Sequence, residues 1–394
     1  MLALLVIPVG ASKRINALLI GAVNGRSDLE ALFQKEPLID FVSVPALDQG
    51  WGREMNVKYV RQYFPRSYEE MKDFDLLMFL TAEYYLFTPK QDLWMHDRIA
   101  DGAGGYNDES VMAIWAPVAS AWVCSRVQEA FPNDAPAVLA RPGGFDYVSM
   151  YYRVEIEPDF PDPVFTPYIP FSVEKALGCV SRYVIARQGS GVMAWNLNAF
   201  PHRIPRIIAW DYERGRTITD GGAPNLGKAG FFGSDNPYGG DMVINMVLYM
   251  TQSRLIEDVE VYHRIKGVFS AYEDRMVYLI TLVDFVDRFG ANTRRLQEEI
   301  RDLREMKGIA IGHYLESDFE VAQEAMLEII EALPGVEDMA KRTKDAALWW
   351  VYLIEWFATT AALLVSSMLV WTLMVRRRLY REVSSTRMRE AMRE

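Results

Sequence analysis

The sequence is poor in the residues that carry most catalytic and metal-binding chemistry. Its 394 residues include two cysteines, Cys124 and Cys179, and four histidines. Two cysteines are too few for a disulfide framework. Neither a cysteine pair nor a His-x-x-x-His spacing occurs, so the usual patterns of a zinc site are missing. We therefore predict neither a bound metal nor a cofactor.

Positive charge is also scarce, and it is unevenly placed. The chain has 42 Lys and Arg against 53 Asp and Glu, a net charge of −11. Residues 376–394 contain seven Arg and three Glu, a net of +4, so the rest of the chain carries −15. Binding the phosphates of nucleic acid requires a basic surface. An acidic body with a short basic tail therefore argues against nucleic acid as a partner.

One stretch near the carboxyl end lacks charge altogether. From Trp356 to Val375 the chain runs for twenty residues without a charged side chain. A helix rises about 1.5 Å per residue, so twenty residues cross the ~30 Å core of a bilayer. Aromatic residues typical of membrane–water interfaces lie towards both ends, namely Trp349, Trp350, Tyr352, Trp356 and Trp371. We predict a transmembrane helix over residues 346–375, with the lipid bilayer as its partner, because buried core helices rarely run so far without charge.

The charges that flank this stretch predict its orientation. Arg376, Arg377, Arg378 and Arg381 follow it directly, and positive flanks stay on the cytoplasmic side. The tail, 376–394, is therefore predicted to be cytoplasmic and the large domain extracytoplasmic. Export requires a signal, and residues 1–13 have a short apolar run but no positive start. We interpret them as a short signal segment, with a first buried strand as the alternative.

The chain before the membrane stretch has two parts. Residues 14–252 alternate strand and helix patterns, which predicts an α/β domain with a parallel sheet covered on both faces. Residues 253–345 are charged and have apolar residues at helical spacing, which predicts a helical stalk. The predicted strands are Ile15–Gly21, Phe41–Leu47, Phe74–Leu80, Val111–Trp115, Tyr183–Trp195 and Arg206–Trp210. The predicted helices of the α/β domain are Asp28–Gln34, Thr88–Gly102, Val118–Phe131 and Asp241–Thr251.

Parts of this pattern resemble a known family. The apolar strands, the helix that ends in the Gly-Ala-Gly-Gly of 102–105, and the glycine-rich segment 231–241 resemble the class I glutamine amidotransferase-like fold. They resemble more narrowly its branch of trehalose-utilisation-like proteins, and the run 347–378 is similar to that of membrane-anchored members. The resemblance covers about three-fifths of the chain. It implies a flavodoxin-like parallel sheet, followed here by the helical stalk and one C-terminal transmembrane helix.

The catalytic residues of that family are not found where the resemblance places them. A working amidotransferase needs a cysteine on a sharp turn after a strand, activated by a histidine that an acid orients. After the predicted strand Val111–Trp115, the chain reads Ala-Pro-Val-Ala-Ser to Ser120, and Cys124 falls inside a predicted helix. Cys179 lies outside the expected place, and His202 is the one histidine on a predicted loop of the α/β domain. We therefore predict no catalytic residues.

Two loops are candidate ligand sites. Glu83 and Tyr84 follow the third predicted strand, at the edge where open α/β sheets bind ligands. The glycine-rich loop before the last helix of the α/β domain lets backbone approach a ligand closely. It contributes Ser234, Asp235, Asn236 and Asp241. The alternative for Asp241 is that it caps the helix, and this is the interpretation we favour.

Three functions are compatible with these features. The first is a non-catalytic amidotransferase-like domain that binds a protein or a small molecule at the cell surface, and we favour it because the nucleophile is missing. The second is an amidotransferase or hydrolase with an unrecognised nucleophile. The third is a membrane scaffold or assembly protein that acts through its stalk. The sequence does not identify the ligand.

Overall fold

A computed structural model describes eleven segments of the chain. They are residues 14–23, 27–47, 52–80, 86–108, 137–139, 153–171, 184–186, 188–197, 203–220, 231–233 and 235–391. The chain divides into two compact units. The first comprises Met1–Ser270 with Gly308–Met326, and the second comprises Ala271–Lys307 with Leu327–Glu394.

The described strands of the first unit are β1 Ile15–Gly21, β2 Ile39–Pro45, β3 Leu76–Leu80, β4 Gly104–Asp108, β5 Ala137–Leu139, β6 Arg153–Ile156, β7 Val184–Ala186, β8 Gly191–Leu197, β9 Arg203–Tyr212 and β10 Gly215–Asp220. Eight of them form one sheet of order β2-β1-β3-β4-β10-β9-β8-β6. The five strands from β2 to β10 run parallel, whereas β9, β8 and β6 continue the sheet antiparallel. A separate pair joins β5 and β7. The predicted α/β class is confirmed, with an antiparallel extension that the sequence did not predict.

Helices begin where the sequence offers caps. The side chains of Ser27 and Thr88 each accept a hydrogen bond from the backbone N–H of the third helical residue. The side chain of that third residue accepts a hydrogen bond from the backbone N–H of Ser27 or Thr88, so both helix starts are capping boxes. Pro89 occupies the first helical position, where its missing N–H costs no hydrogen bond. The helices are α1 Asp28–Lys35, α2 Arg53–Tyr63, α3 Tyr68–Met71, α4 Pro89–Ala100, α5 Gly239–Met250, α6 Val259–Arg288, α7 Arg294–Leu315 and α8 Phe319–Ala391. A short 3₁₀ helix spans Thr166–Phe171.

Strands β1 and β3 are apolar along nearly their whole length because helices cover them. Leu18 and Ile20 of β1 and Leu77 of β3 are fully buried, and they belong to a core that includes Val60 of α2 and Met95 of α4. Strands that alternate polar and apolar residues would leave one face exposed to water, and these do not alternate. This core therefore holds α2 and α4 against the sheet.

The fourth strand of the sheet lies earlier in the chain than predicted. The place beside β3 is taken by Gly104–Asp108, whereas the predicted strand Val111–Trp115 falls outside the described residues. In the sequence, Gly104 and Gly105 were interpreted as the end of a helix, but in the structure they lie in β4, where close packing requires glycine. A Cβ on Gly104 would lie 2.8 Å from the Cβ of Met250, and one on Gly105 would lie 3.1 Å from Ile99 and from Thr217. Close helix–sheet contact therefore explains these glycines.

The carboxyl end of β10 carries a buried ion pair. Arg206 Nε lies 2.6 Å from Asp220 Oδ1, and the two side chains are 4% and 0% exposed. They belong to neighbouring antiparallel strands, β9 and β10. Removing one partner of such a pair would leave an unpaired buried charge, so breaking this contact between the two strands is strongly destabilising.

The last helix is continuous over 73 residues, from Phe319 to Ala391. The stretches predicted as the end of the stalk and as the transmembrane helix thus form one element. Within the described residues, Phe319–Arg381 is the one helix that is long and apolar enough to cross a membrane by its length and composition. None of its most apolar stretch is buried against protein.

Candidate functional site

Glu36 is the centre of a buried polar cluster in the first unit. It directly follows α1, and its side chain is inaccessible to water. Tyr262 donates a hydrogen bond of 2.9 Å to Oε2, and Tyr314 donates one of 2.8 Å to Oε1. A carboxylate buried in this way is stable only because donors surround it. The cluster therefore fastens α1 to two helices far away in the sequence.

Lys266 connects Glu36 to a second buried carboxylate. Its Nζ lies 2.8 Å from Asp241 Oδ1 and 3.8 Å from Glu36 Oε2, and its side chain is 20% exposed. The ammonium group also lies 5.3 Å from the centre of the Tyr262 ring. Such a cation–π contact adds to the attraction of the carboxylates. One lysine thus partly balances two negative charges.

Asp241 also orients a histidine. Its Oδ2 lies 2.7 Å from His263 Nδ1, and the carboxylate is 4% exposed whereas the imidazole is 42% exposed. The carboxylate accepts the hydrogen bond from Nδ1, so Nε2 is the ring nitrogen that remains for another partner. Oriented imidazoles of this kind accept or donate protons and bind polar ligands. The pair is the strongest chemical feature among the described residues.

Aromatic rings line the imidazole. The Tyr238 and His263 rings have centroids 4.7 Å apart, and Phe171 packs on Tyr238 at 4.5 Å. Tyr238 comes from the glycine-rich loop and Phe171 from the 3₁₀ helix. Flat apolar rings beside a polar group are the usual lining of a small-molecule site.

Tyr168 adds a buried hydroxyl near this group. The residue is fully buried, and its ring lies 6.3 Å from that of Tyr238. Burial and the neighbouring Asp241 carboxylate raise the pKa of Tyr168 well above its usual 10. Within the described residues, its hydroxyl has no hydrogen-bond partner. Buried polar atoms are nearly always bonded, so this hydroxyl marks a place where a water or ligand atom is expected.

The buried tyrosines predict a stability loss in base. Burial and Glu36 raise the pKa of Tyr262 and Tyr314 well above 10, whereas tyrosines of the unfolded chain ionise near pH 10. The unfolded state then binds fewer protons, so stability is complete below pH 10 and falls above it. The fall is about 1.4 kcal/mol per pH unit for each protected tyrosine.

Denaturant unfolding at several pH values above 9 measures this effect. Tyr262→Phe removes one titrating hydroxyl and should reduce the pH slope by about one proton. Equal slopes in the wild type and in Tyr262→Phe would show that this tyrosine is not protected.

The predicted ligand residues have different positions. Asp235 is exposed, and Asn236 is buried, with its amide donating to Phe231 O and its oxygen accepting from Tyr238 N. Asn236 therefore shapes the loop. Asp241 lies in the first turn of α5, behind its N-cap Tyr238, so the capping interpretation is wrong. Glu83, Tyr84 and Ser234 lie outside the described residues.

The residues considered for catalysis also fall outside the described part of the chain. This applies to Ser120, Cys124, Cys179 and His202. Sequence reasoning missed His263, because it lies within residues 253–345, which were predicted to form a helical stalk. No local pattern relates it to Asp241, because the two residues are 22 positions apart and lie on different helices.

A second group of residues offers metal-ligand atoms. His313, Glu316 and Asp318 lie at the turn between α7 and α8, and their ligand atoms all lie within 4.8 Å of one another. Imidazole with two carboxylates suits zinc and similar ions. Both carboxylates are exposed, and exposed acidic groups commonly converge without an ion.

Comparisons with solved structures find weak similarity. Two cytoplasmic proteins from Salmonella typhimurium, STM3548 and STM1381, are 14% and 15% identical to this chain, with TM-scores of 0.41 and 0.42. They match 59% and 60% of this chain and nearly all of their own length, 98% and 99%. The GH42 β-galactosidase Gan42B from G. stearothermophilus is 9% identical, with a TM-score of 0.32, over 62% of this chain and 31% of its own. No protein-family model and no curated protein matches the chain.

Proposed function

We propose that the protein is a membrane-anchored binding protein whose amidotransferase-like α/β domain holds a small polar ligand at His263. The observation that carries this proposal is the half-exposed imidazole, oriented at Nδ1 by the buried Asp241. Tyr238 offers a ring face beside it, and Tyr168 a hydroxyl without a partner in the described structure. The expected ligand has a polar group that pairs with His263 Nε2. It also has a flat or apolar face that stacks on Tyr238.

The flavodoxin-like form of the domain is part of the proposal. Support comes from the order of the five parallel strands, β2-β1-β3-β4-β10, which is the order 2-1-3-4-5 of doubly wound flavodoxin-like sheets. Such folds host many activities, so the fold does not define the ligand. The antiparallel extension through β9, β8 and β6 goes beyond that pattern.

A binding role rather than catalysis is favoured by the partners of His263. Among the described residues, Asp241 is its hydrogen-bond partner, and no hydroxyl or thiol is bonded to Nε2. A hydrolase of the triad type needs a nucleophile within hydrogen-bond reach of the base. The oriented imidazole itself favours an enzyme as the second candidate, with His263 as general base. Glutaminase turnover by the full chain that is lost in His263→Ala, Cys124→Ala or Cys179→Ala would support that second candidate.

Ligand binding is tested by thermal unfolding of the detergent-solubilised full chain. L-glutamine, trehalose and adenosine monophosphate represent the amino-acid, sugar and nucleotide classes. We expect one class to raise the midpoint of the wild type, and His263→Ala to weaken its binding about ten-fold or more, as loss of a ligand hydrogen bond does.

His313→Ala is the matched control, because it removes a partly exposed imidazole of the same unit that lies outside the site. It should respond to the ligand as the wild type does. A ligand that stabilises His263→Ala as strongly as the wild type would place the binding site elsewhere.

The proposal places the large domain outside the cell and the basic tail in the cytoplasm. The arginines after the apolar stretch support this orientation. Protease added to intact cells should then remove the α/β domain and leave the tail protected. Protection of the α/β domain until the cells are opened would reverse the orientation.

A further inference from the structure

The second unit contains three packed helical segments. They are the α6 residues from Ala271, the α7 residues up to Lys307 and the α8 residues from Leu327. Each segment has buried apolar side chains, which include Met276, Leu279, Val286, Leu296, Ile300, Leu303, Leu333, Ala340 and Ala347. A five-residue turn joins α6 to α7, and Lys307 of α7 pairs with Glu273 of α6, so α7 returns antiparallel along α6.

Two contacts between α6 and α8 show how these helices are directed. Tyr262 packs on Phe319 with ring centroids 5.3 Å apart, and farther along both helices Arg275 Nη1 lies 4.0 Å from Glu337 Oε1. The two helices therefore run in the same direction. Ten residues, about 15 Å, beyond this ion pair lie Phe285 on α6 and Ala347 on α8.

The packed core ends at this height. Ala347 is 4% exposed, whereas Trp349 and Trp350 are each 66% exposed. From there to Val375 the large exposed side chains of α8 are aromatic and then apolar, and Glu355 is the one charged residue among them. This is the interfacial end of the proposed membrane span, because aromatic belts lie at headgroup level. The turn between α6 and α7 thus lies at the height where the bilayer begins.

The turn presents an apolar tip at that height. Phe285 and Phe289 are 39% and 45% exposed, and their rings pack on each other at 4.9 Å. Arg288 pairs with Asp284, and Arg294 with Glu298, so these two cations are balanced. Arg295 is exposed beside them, and no partner for it is found within the described residues. An aromatic pair with one free arginine fits a layer of lipid headgroups, where rings lie at the acyl boundary and cations contact phosphates.

We propose that the α6–α7 tip, formed by Phe285, Phe289 and Arg295, lies in the headgroup layer of the membrane leaflet that the span enters first. This second contact rests on the membrane anchorage proposed above. One helix alone leaves a domain free to tilt, whereas a span and a tip together fix the orientation of the second unit relative to the membrane surface. The partner is the lipid bilayer itself.

Photo-crosslinking in the full chain tests this contact. The photoreactive analogue p-benzoylphenylalanine replaces Phe289, or in separate samples Leu364 of the span and Val277 of α6, and each protein is placed in vesicles of phosphatidylcholine and phosphatidylglycerol. Val277 is the matched control, because it is 63% exposed on α6, the helix that Phe289 directly follows, and lies about 18 Å before Phe289. Mass spectrometry should find lipid adducts at Phe289 and Leu364, in yields several-fold above those at Val277.

The possible outcomes separate the two proposals. Adducts at Leu364 without adducts at Phe289 would overturn the tip contact and leave the anchor intact. A lack of adducts at both positions would overturn the anchor as well. Crosslinks from Phe289 to a second copy of the chain would mean that the tip is a subunit interface, which also overturns the contact with lipid.

Discussion

The double substitution Leu364→Arg and Val365→Arg is expected to release the protein from the membrane fraction. The two residues are 67% and 60% exposed in the middle of the uncharged stretch, where the proposed bilayer core surrounds them. An arginine at the centre of a span costs about 2.5–3.5 kcal/mol, so two of them offset much of the insertion energy of a single helix. Fractionation by high-speed centrifugation without detergent, followed by immunoblotting, measures the distribution.

Leu327→Arg is the control for this experiment. Leu327 is 41% exposed on the same helix, but it lies 29 residues before the start of the uncharged stretch. This variant should stay in the pellet with the wild type. Wild-type protein that remains in the supernatant would remove the membrane anchor and, with it, the surface-binding proposal.

Glu36→Ala is expected to lower the free energy of unfolding of the first unit by about 3–5 kcal/mol, since removing one member of a buried charged network leaves its partners unpaired. The change deprives the Tyr262 and Tyr314 hydroxyls of their acceptor. Lys266 keeps Asp241, at 2.8 Å. Urea unfolding followed by circular dichroism measures the loss.

Two further variants make this result specific. Glu69→Ala removes a carboxylate that is 80% exposed and paired with Lys72, and it should cost less than about 1 kcal/mol. Glu36→Gln keeps an acceptor oxygen for one of the two tyrosines, so its loss should lie between the other two values. A small loss in Glu36→Ala would show that water or other side chains replace the carboxylate.

These stability measurements also separate folding from binding. Glu36 bonds α1 to α6 and α7, so its removal should reduce stability with or without ligand. His263 is 42% exposed, and its one hydrogen bond among the described residues is to Asp241, so its removal should change ligand binding more than stability. The opposite pattern would assign His263 a structural role.

The sequence by itself determined the class of the fold and identified the apolar stretch that is long enough to cross a membrane. The uninterrupted apolar strands β1 and β3, the caps Ser27 and Thr88, and the twenty uncharged residues are local patterns, and each is set by interactions among neighbours in the chain. These patterns therefore predicted an α/β unit followed by helices.

Only the tertiary structure decided the fourth strand and the candidate site. Gly104 and Gly105 are strand residues because α5 and α4 pack closely over them, a constraint that local propensity does not contain. Likewise, Glu36, Asp241 and His263 have no sequence spacing in common, and folding brings their helices together around two buried carboxylates. Contacts between distant segments depend on packing geometry, which short-range patterns do not encode, so the site became visible only in three dimensions.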